Sequence, residues 1–188
     1  MMFCMIVAAP SPGDDALLDN CIIHIAQGDR DALAALYART RPAVYGFALS
    51  ILKNIQDAED VLQDAYLQVW LAAGSYHAHG KAQAWLMTIV RNLAMDRLRQ
   101  QARTEPLDWD QWQERFTDLP AVTEEDRMTL TALLTALEDQ ERQIVTLHAL
   151  TGLKHREIAA LLDLPLATVL SKYSRALKKL RLAWKEAD

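Results

Sequence analysis

An all-α protein built as two small helical domains is what this sequence predicts, on three observations. Apolar residues recur at the helical period from Asp14 onward, and no segment shows the two-residue alternation of a strand. Gly and Pro are scarce, six of each in 188 residues, while Leu and Ala are abundant. Between two helical stretches, residues 104–122 carry Pro106, Pro120 and an acidic run, the composition of a flexible linker.

The elements follow in order. Helices are expected at about 15–27, 30–52, 55–73 and 82–103, with Gly74 to Lys81 as a loop. Pro42 lies inside the second and should kink it or split it near Thr40, because its ring removes a donor and crowds the preceding turn. In the linker, Trp109, Trp112 and Phe116 fall at i, i+3 and i+7, so a short helix could dock an aromatic face. Thr123 to Asp126 resembles a capping box opening a helix to Leu137. Helices at 139–150, 154–162 and 165–186 complete the chain. The domains are thus expected at 14–103 and 123–188, behind a disordered tail of residues 1–13.

Charge is segregated. The net charge of −5 argues against a chain that coats nucleic acid through bulk charge. Yet Asp57 to Asp64 carries four acids and no base, and Arg91 to Arg103 is basic apart from Asp96. Residues 105–126 hold eight acids against one Arg, and the last helix is basic. Local patches with separate partners fit this better than a uniform field. Cys4 and Cys21 set no disulfide framework, and the composition reads as cytoplasmic. Met1 to Ala9 is apolar but too short to span a bilayer, so no membrane insertion is expected.

The last helix is the most informative. Leu166, Val169, Leu170, Tyr173, Ala176, Leu177, Leu180 and Trp184 share one arc of its wheel. Thr168, Ser171, Lys172, Ser174, Arg175, Lys178, Lys179 and Arg181 share the other, with no acid among them. A shorter helix and the turn Asp163-Leu164-Pro165 precede it. A hydroxyl- and cation-bearing helix presented in this way suits the DNA major groove.

Two other surfaces carry chemistry. Around Asp57, the residues Ala58, Val61, Leu62, Ala65 and Val69 form a buried stripe, while Asp57, Asp60, Asp64 and Gln68 line the far side with Leu67 stranded among them. An acidic face with one exposed hydrophobe suits a basic protein surface, although a solvated face would look the same. In the helix from Ala82, Leu86, Ile89, Val90 and Leu93 point to the core. Trp85, Thr88, Asn92 and Arg99 share a neighbouring face suited to unstacked bases, where rings stack and Arg takes phosphate. The pair His77 and His79 has no Cys or Asp at ligand spacing, so neither metal nor cofactor is expected, and no acid–base–nucleophile set suggests catalysis.

Taken together, these segments resemble the extracytoplasmic-function sigma factors, minimal bacterial initiation factors with only regions two and four. Asp57 to Asp64 followed by Trp70 is similar to the region-two motif for the polymerase clamp. Trp85-Leu86 with Arg91 to Arg99 is similar to the promoter-melting helix that reads the −10 element. Glu141 to Val145, Arg156 to Ala159 and Thr168 to Lys172 resemble region four. The resemblance implies a non-catalytic subunit that joins core RNA polymerase, through the clamp of its largest subunit and the flap of its second largest, and directs it to promoter DNA. It implies an inhibitory anti-sigma factor as a further partner. By position, Asp57, Asp60, Gln63, Asp64 and Leu67 would bind core polymerase. Tyr76, His77, Trp85, Thr88, Arg91, Asn92 and Arg99 would serve the −10 element, and Thr168, Ser171, Lys172, Ser174, Arg175 and Lys178 the −35 element. The chain departs from the family pattern at Ala78 and His79 of the −10 loop, at Lys154 where a Ser or Thr cap is usual, at Asp163 where a turn Gly is common, and at Leu170. A stand-alone helix-turn-helix regulator is the competing reading; it leaves the first two surfaces without a role.

Overall fold

A computed structural model of the chain describes residues 14–101 and 136–186, and everything described is helix or short connection. The helices are α1 (Asp14–Ala26), α2 (Arg30–Leu52), α3 (Ile55–Ala72), α4 (Ala82–Gln101), α5 (Asp139–Thr151), α6 (His155–Leu162) and α7 (Leu166–Glu186), with a 3-10 turn at Ala73–Ser75. The expected tail, the linker and its aromatic helix lie outside the described residues, as does the expected helix from Thr123 to Leu137 except for Ala136 and Leu137, which form a turn and a bend. Among the described residues no helix is long and apolar enough to cross a membrane.

Local chemistry sets the boundaries. Asp29 caps α2, its side chain accepting from the N–H groups of Asp31 at 2.8 Å and Ala32 at 3.1 Å. Lys53 ends that helix in the left-handed region at φ 56°, and Asn54 immediately caps α3 by accepting from Asp57 N–H. Two residues therefore reverse the chain. Pro42 does not split α2, which runs unbroken from Arg30 to Leu52. Close by, the Thr40 hydroxyl donates to the Leu36 carbonyl at 2.7 Å and meets the Tyr66 hydroxyl of α3 at 2.7 Å. Packing of α2 against α1, α3, α4 and α5 holds the proline-bearing helix together where propensity alone would break it.

The core is continuous. Val44, Phe47 and Leu52 of α2, Val61, Ala65 and Val69 of α3, and Leu86, Met87 and Val90 of α4 are buried beside Ile22 of α1. The same cluster runs on into Ile144 and Leu147 of α5, Ile158 of α6 and Val169 of α7. The bridge is α2 against α5, two elements far apart in sequence. There Lys53 Nζ meets Asp139 Oδ1 at 2.6 Å. Burial opposes the charge on Asp139, but Lys53 and Arg142 outweigh it and hold the carboxyl below its usual range.

The helix-turn-helix is α6 and α7. Lys154 does stand at the head of α6 without a capping hydroxyl, but Glu157 reaches back and accepts from Lys154 N–H at 2.8 Å, half of a capping box. Asp163 adopts φ 55°, the left-handed turn for which Gly is the common residue. Pro165 lies just outside α7, and its carbonyl accepts from Thr168 and Val169 N–H groups.

Candidate nucleic-acid interface

The acidic helix α3 buries the expected stripe: Ala58, Val61, Leu62, Ala65 and Val69 are all in the core. Asp60, Gln63, Asp64 and Leu67 are exposed on its outer side, Leu67 at 64 %. Leu71, one turn further and 76 % exposed, extends the patch. Asp57 does not belong to that open face. It is buried against α4, where Arg97 Nε donates to it at 2.8 Å while Arg97 Nη2 donates to Asp60 at 2.6 Å. The Asp57 hydrogen bond is the main reason that the Arg97 guanidinium is held above its ordinary pKa. Arg97 thus fixes the acidic face, a role the sequence did not announce because the partner helix is 40 residues away.

On the other side of α4 the structure brings Tyr76, His77, Trp85 and Thr88 together along a cleft of about 490 Å³. The Tyr76 and Trp85 rings form an aromatic corner, 4.8 Å between centroids and inclined at 52°. Thr88 is exposed, and its hydroxyl donates to the Ala84 carbonyl of its own helix. Asn92 and Arg99 are exposed further along α4 and Arg91 is half-buried; Arg99 is paired with Asp96 at 2.8 Å. None of these three lines the cleft. Its far wall comes from α6, through Glu157, Ala160 and Leu161.

The cleft has an unexpected frame from α1. Asp19, nearly fully buried, accepts from the Tyr76 hydroxyl and from Gly80 N–H at 2.8 Å, and Asp15 accepts from Gln83 N–H at 3.0 Å. Burial first, then the Asp19 bond, push the Tyr76 hydroxyl well above the usual tyrosine range, so it stays a donor. The sequence signal was slight: an acid at the centre of the apolar run from Ala16 to Ile25.

The basic helix α7 divides. Val169 and Ala176 are buried, and Leu166, Tyr173, Leu177 and Leu180 are half-buried. Leu170 leaves the apolar arc assigned to it and is 47 % exposed. Trp184 lies among the side chains left undescribed. Ser171, Ser174, Arg175 and Lys178 are exposed, with Thr168 half-buried beside them. Lys172 is different. Its side chain, 17 % exposed, turns to Glu138 at 3.9 Å. Lys179, seven residues on, meets Glu138 and the buried Glu141, the latter at 2.7 Å. Burial works against a charge on Glu141, but Lys179 and the Glu138 N–H outweigh it and hold the carboxyl below its usual range. These pairs tie α7 to the head of α5 and leave the serine–arginine edge outward.

Known proteins share this organisation. The Sigma-70 region 2 family matches residues 36–104, and the Sigma-70, region 4 family matches residues 127–180. An ECF RNA polymerase sigma factor SigK of Mycolicibacterium vanbaalenii is 31% identical over 182 residues, covering 93% of this chain and 92% of that protein. The protein of that name in Mycobacterium tuberculosis is 32% identical over 172 residues, covering 87% of this chain and 91% of its own. Among solved structures, CnrH in complex with the cytosolic domain of CnrY aligns with a TM-score of 0.63 at 26% identity, over 92% of this chain and 99% of that one. The Bartonella quintana sigma factor RpoE, solved with the anti-sigma factor NepR, aligns with a TM-score of 0.61 at 24% identity, over 79% of this chain and 94% of that one, a likeness of fold.

Proposed function

This chain belongs to the extracytoplasmic-function sigma factors of the sigma-70 family, alternative factors that direct transcription initiation by RNA polymerase, and we propose how its surfaces divide that work. Residues 14–103 form the unit that binds core polymerase and melts the −10 element, and residues 123–188 the unit that reads the −35 element, with 104–122 between them. The outer face of α3, with Asp60, Gln63, Asp64 and Leu67, docks on the clamp of the largest subunit; charge steers the encounter and Leu67 anchors it. Asp57 supports that face from beneath through Arg97. Region four meets the flap of the second largest subunit.

The observation that carries this reading is the aromatic cleft and the outward serine–arginine edge of α7 on one chain. Tyr76, His77 and Trp85 receive an unstacked −10 base, and Thr88, Arg91, Asn92 and Arg99 continue the track along α4. Flipping a base costs a few kcal/mol, and stacking returns about 1–3 kcal/mol per base. Thr168, Ser171, Ser174, Arg175 and Lys178 approach the −35 major groove, where Lys178 holds phosphate. Lys172 orients the helix through Glu138. Catalysis stays with the polymerase, and the chain works beside it in the cytoplasm, restrained by an anti-sigma factor. A solved relative held by another protein's cytosolic domain supports that last point.

The test is a gel shift and run-off transcription with and without core polymerase, on promoters drawn from transcript starts mapped after overexpression. Sequence-specific binding and initiation should require core. Tight, specific duplex binding by the free protein, with no transcription when core is added, would instead establish a stand-alone regulator. Leu67→Glu and Asp64→Arg should lose core in a pull-down while keeping the helical circular-dichroism spectrum.

A further inference from the structure

The loop that leads into α4 is held from outside itself. Between Ser75 and Ala82 the chain has no regular structure, and Gly80 adopts φ 66°. A loop of this kind would sample many conformations, and ordering it on DNA would cost affinity. Asp19 of α1 prevents this. One oxygen of its carboxylate takes the Tyr76 hydroxyl, and the other takes the N–H of Gly80, four residues later. One helical turn earlier, Asp15 takes the N–H of Gln83, an otherwise unpaired donor at the first turn of α4. The two acids lie on one face of α1, at i and i+4, and form a fork that grips both ends of the loop.

We infer that Asp19 is a positioning residue for −10 recognition: through the Tyr76 hydroxyl and the Gly80 N–H it presets the base-capturing loop and the Tyr76–Trp85 corner before DNA arrives. This rests on the reading of Tyr76, His77 and Trp85 as the −10 surface. Asp19 precedes the region-two match, which begins at residue 36. Its side chain is nearly fully buried, and both recorded bonds go to the loop. A buried carboxylate is a poor way to add core stability, since apolar residues of similar volume serve better. It is a good way to fix two donors at a set separation. The loop then meets DNA already ordered, and the Tyr76 ring is held at one inclination to Trp85, so the shape offered to a flipped base is constant.

The experiment uses the full chain reconstituted with core polymerase and a DNA library randomised across both promoter elements. Bound molecules are recovered and sequenced. Wild-type holoenzyme enriches an upstream duplex block and a downstream melted block. Asp19→Ala is expected to keep the upstream preference and to lose about tenfold of the downstream enrichment, the scale of a lost hydrogen bond to a charged group. Asp19→Asn, which retains one acceptor oxygen, should recover part of it. Tyr76→Phe removes the same bond without touching the buried acid, and combining it with Asp19→Ala should add little, because the two act through one contact. If Asp19→Ala fails to fold, Asp19→Asn and Tyr76→Phe carry the comparison.

Equal loss in both blocks would mean that Asp19 only stabilises the fold, and unchanged enrichment that the loop needs no preset; either outcome overturns the inference. A wild-type holoenzyme that enriches neither block overturns the sigma-factor assignment of these surfaces, and the inference with it.

Discussion

Leu150 of α5 fills the space in front of Gly46 of α2 so closely that a Cβ on Gly46 would lie 2.5 Å from its Cδ1, with Thr146 Cγ2 at 3.8 Å as the next neighbour. The first obstacle to a larger residue is thus in the C-terminal helices, not in the bundle that contains Gly46. Because that obstacle is the tip of a side chain, Gly46→Ala should be absorbed by a small turn of Leu150, with a change in stability within about 1 kcal/mol. Gly46→Leu has no such escape. It should cost about 1–3 kcal/mol in urea unfolding or part α2 from α5, seen as a larger radius in small-angle scattering. An unaltered radius together with unaltered stability would mean that the two helices do not pack in solution.

Arg97→Ala takes the guanidinium away from the buried Asp57 and releases Asp60 to solvent. Removing one partner of a fully buried pair costs about 3–5 kcal/mol, but Arg97 is 37 % exposed, so a loss of about 1–3 kcal/mol is expected. Core binding should weaken as well, because the acidic face loses its support. Wild-type midpoints in chemical denaturation would show that this ion pair is incidental.

Two cations of α7, Arg175 and Lys172, should separate by phenotype. Arg175 is exposed, and Arg175→Ala should weaken −35 binding by about 1–3 kcal/mol in a manner dependent on promoter sequence, leaving the melting temperature in place. Lys172→Ala should lower thermal stability by a few tenths to about 1 kcal/mol and affect all promoters alike, since its partner is Glu138. Binding measured across a set of −35 variants distinguishes these patterns; a sequence-dependent loss from Lys172→Ala would return that residue to the groove.

The helix-turn-helix should be sensitive to mild acid. His155 stacks on His148 at 4.7 Å, Tyr173 stands edge-on to both rings, and His155 Nε2 is buried without a hydrogen-bond partner. Burial, then His148, lower the pKa of His155 below 6.5. The unfolded chain therefore takes up this proton first, so stability is full above about pH 6.5 and falls as the pH drops toward the lower folded-state value. His155→Phe should flatten that slope in thermal melts between pH 7 and 5, and an identical slope in the variant would show that His155 is not its source.

Periodicity was enough to place the helices, because each buries a face against neighbours and needs an apolar residue every three or four positions. The structure supplies the caps that set the boundaries: Asp29 and Asn54 accept from the first N–H groups of α2 and α3, Gly152 ends α5 in the left-handed region, and Asp163 adopts the same conformation where a Gly is usual. Predictions that depended on propensity alone fared less well. Pro42 suggested a break, but α2 is packed on several sides and stays whole. Within the site, Trp85, Thr88 and Asn92 of α4 and Asp60 and Asp64 of α3 were visible because each set shares one helix face. Asp57 and Lys172 were read as outward for the same reason, and both turn inward to partners on other helices. A helical wheel gives the angle of a side chain but not what stands opposite it.

The order of residues by itself determined that this protein is helical, that its charge is sorted into patches, and that it carries an acidic, an aromatic and a basic surface in the order of a sigma factor. Each of these is a property of one short segment, set by spacing and side-chain type. Only the tertiary structure decided which charges are free. Asp19 reaches the Tyr76 loop, Arg97 takes Asp57, Glu138 takes Lys172, and Leu150 lies over Gly46, all between residues at least 34 positions apart. Such contacts arise when separate helices bury their apolar faces together, and no local pattern records where that burial will bring two side chains.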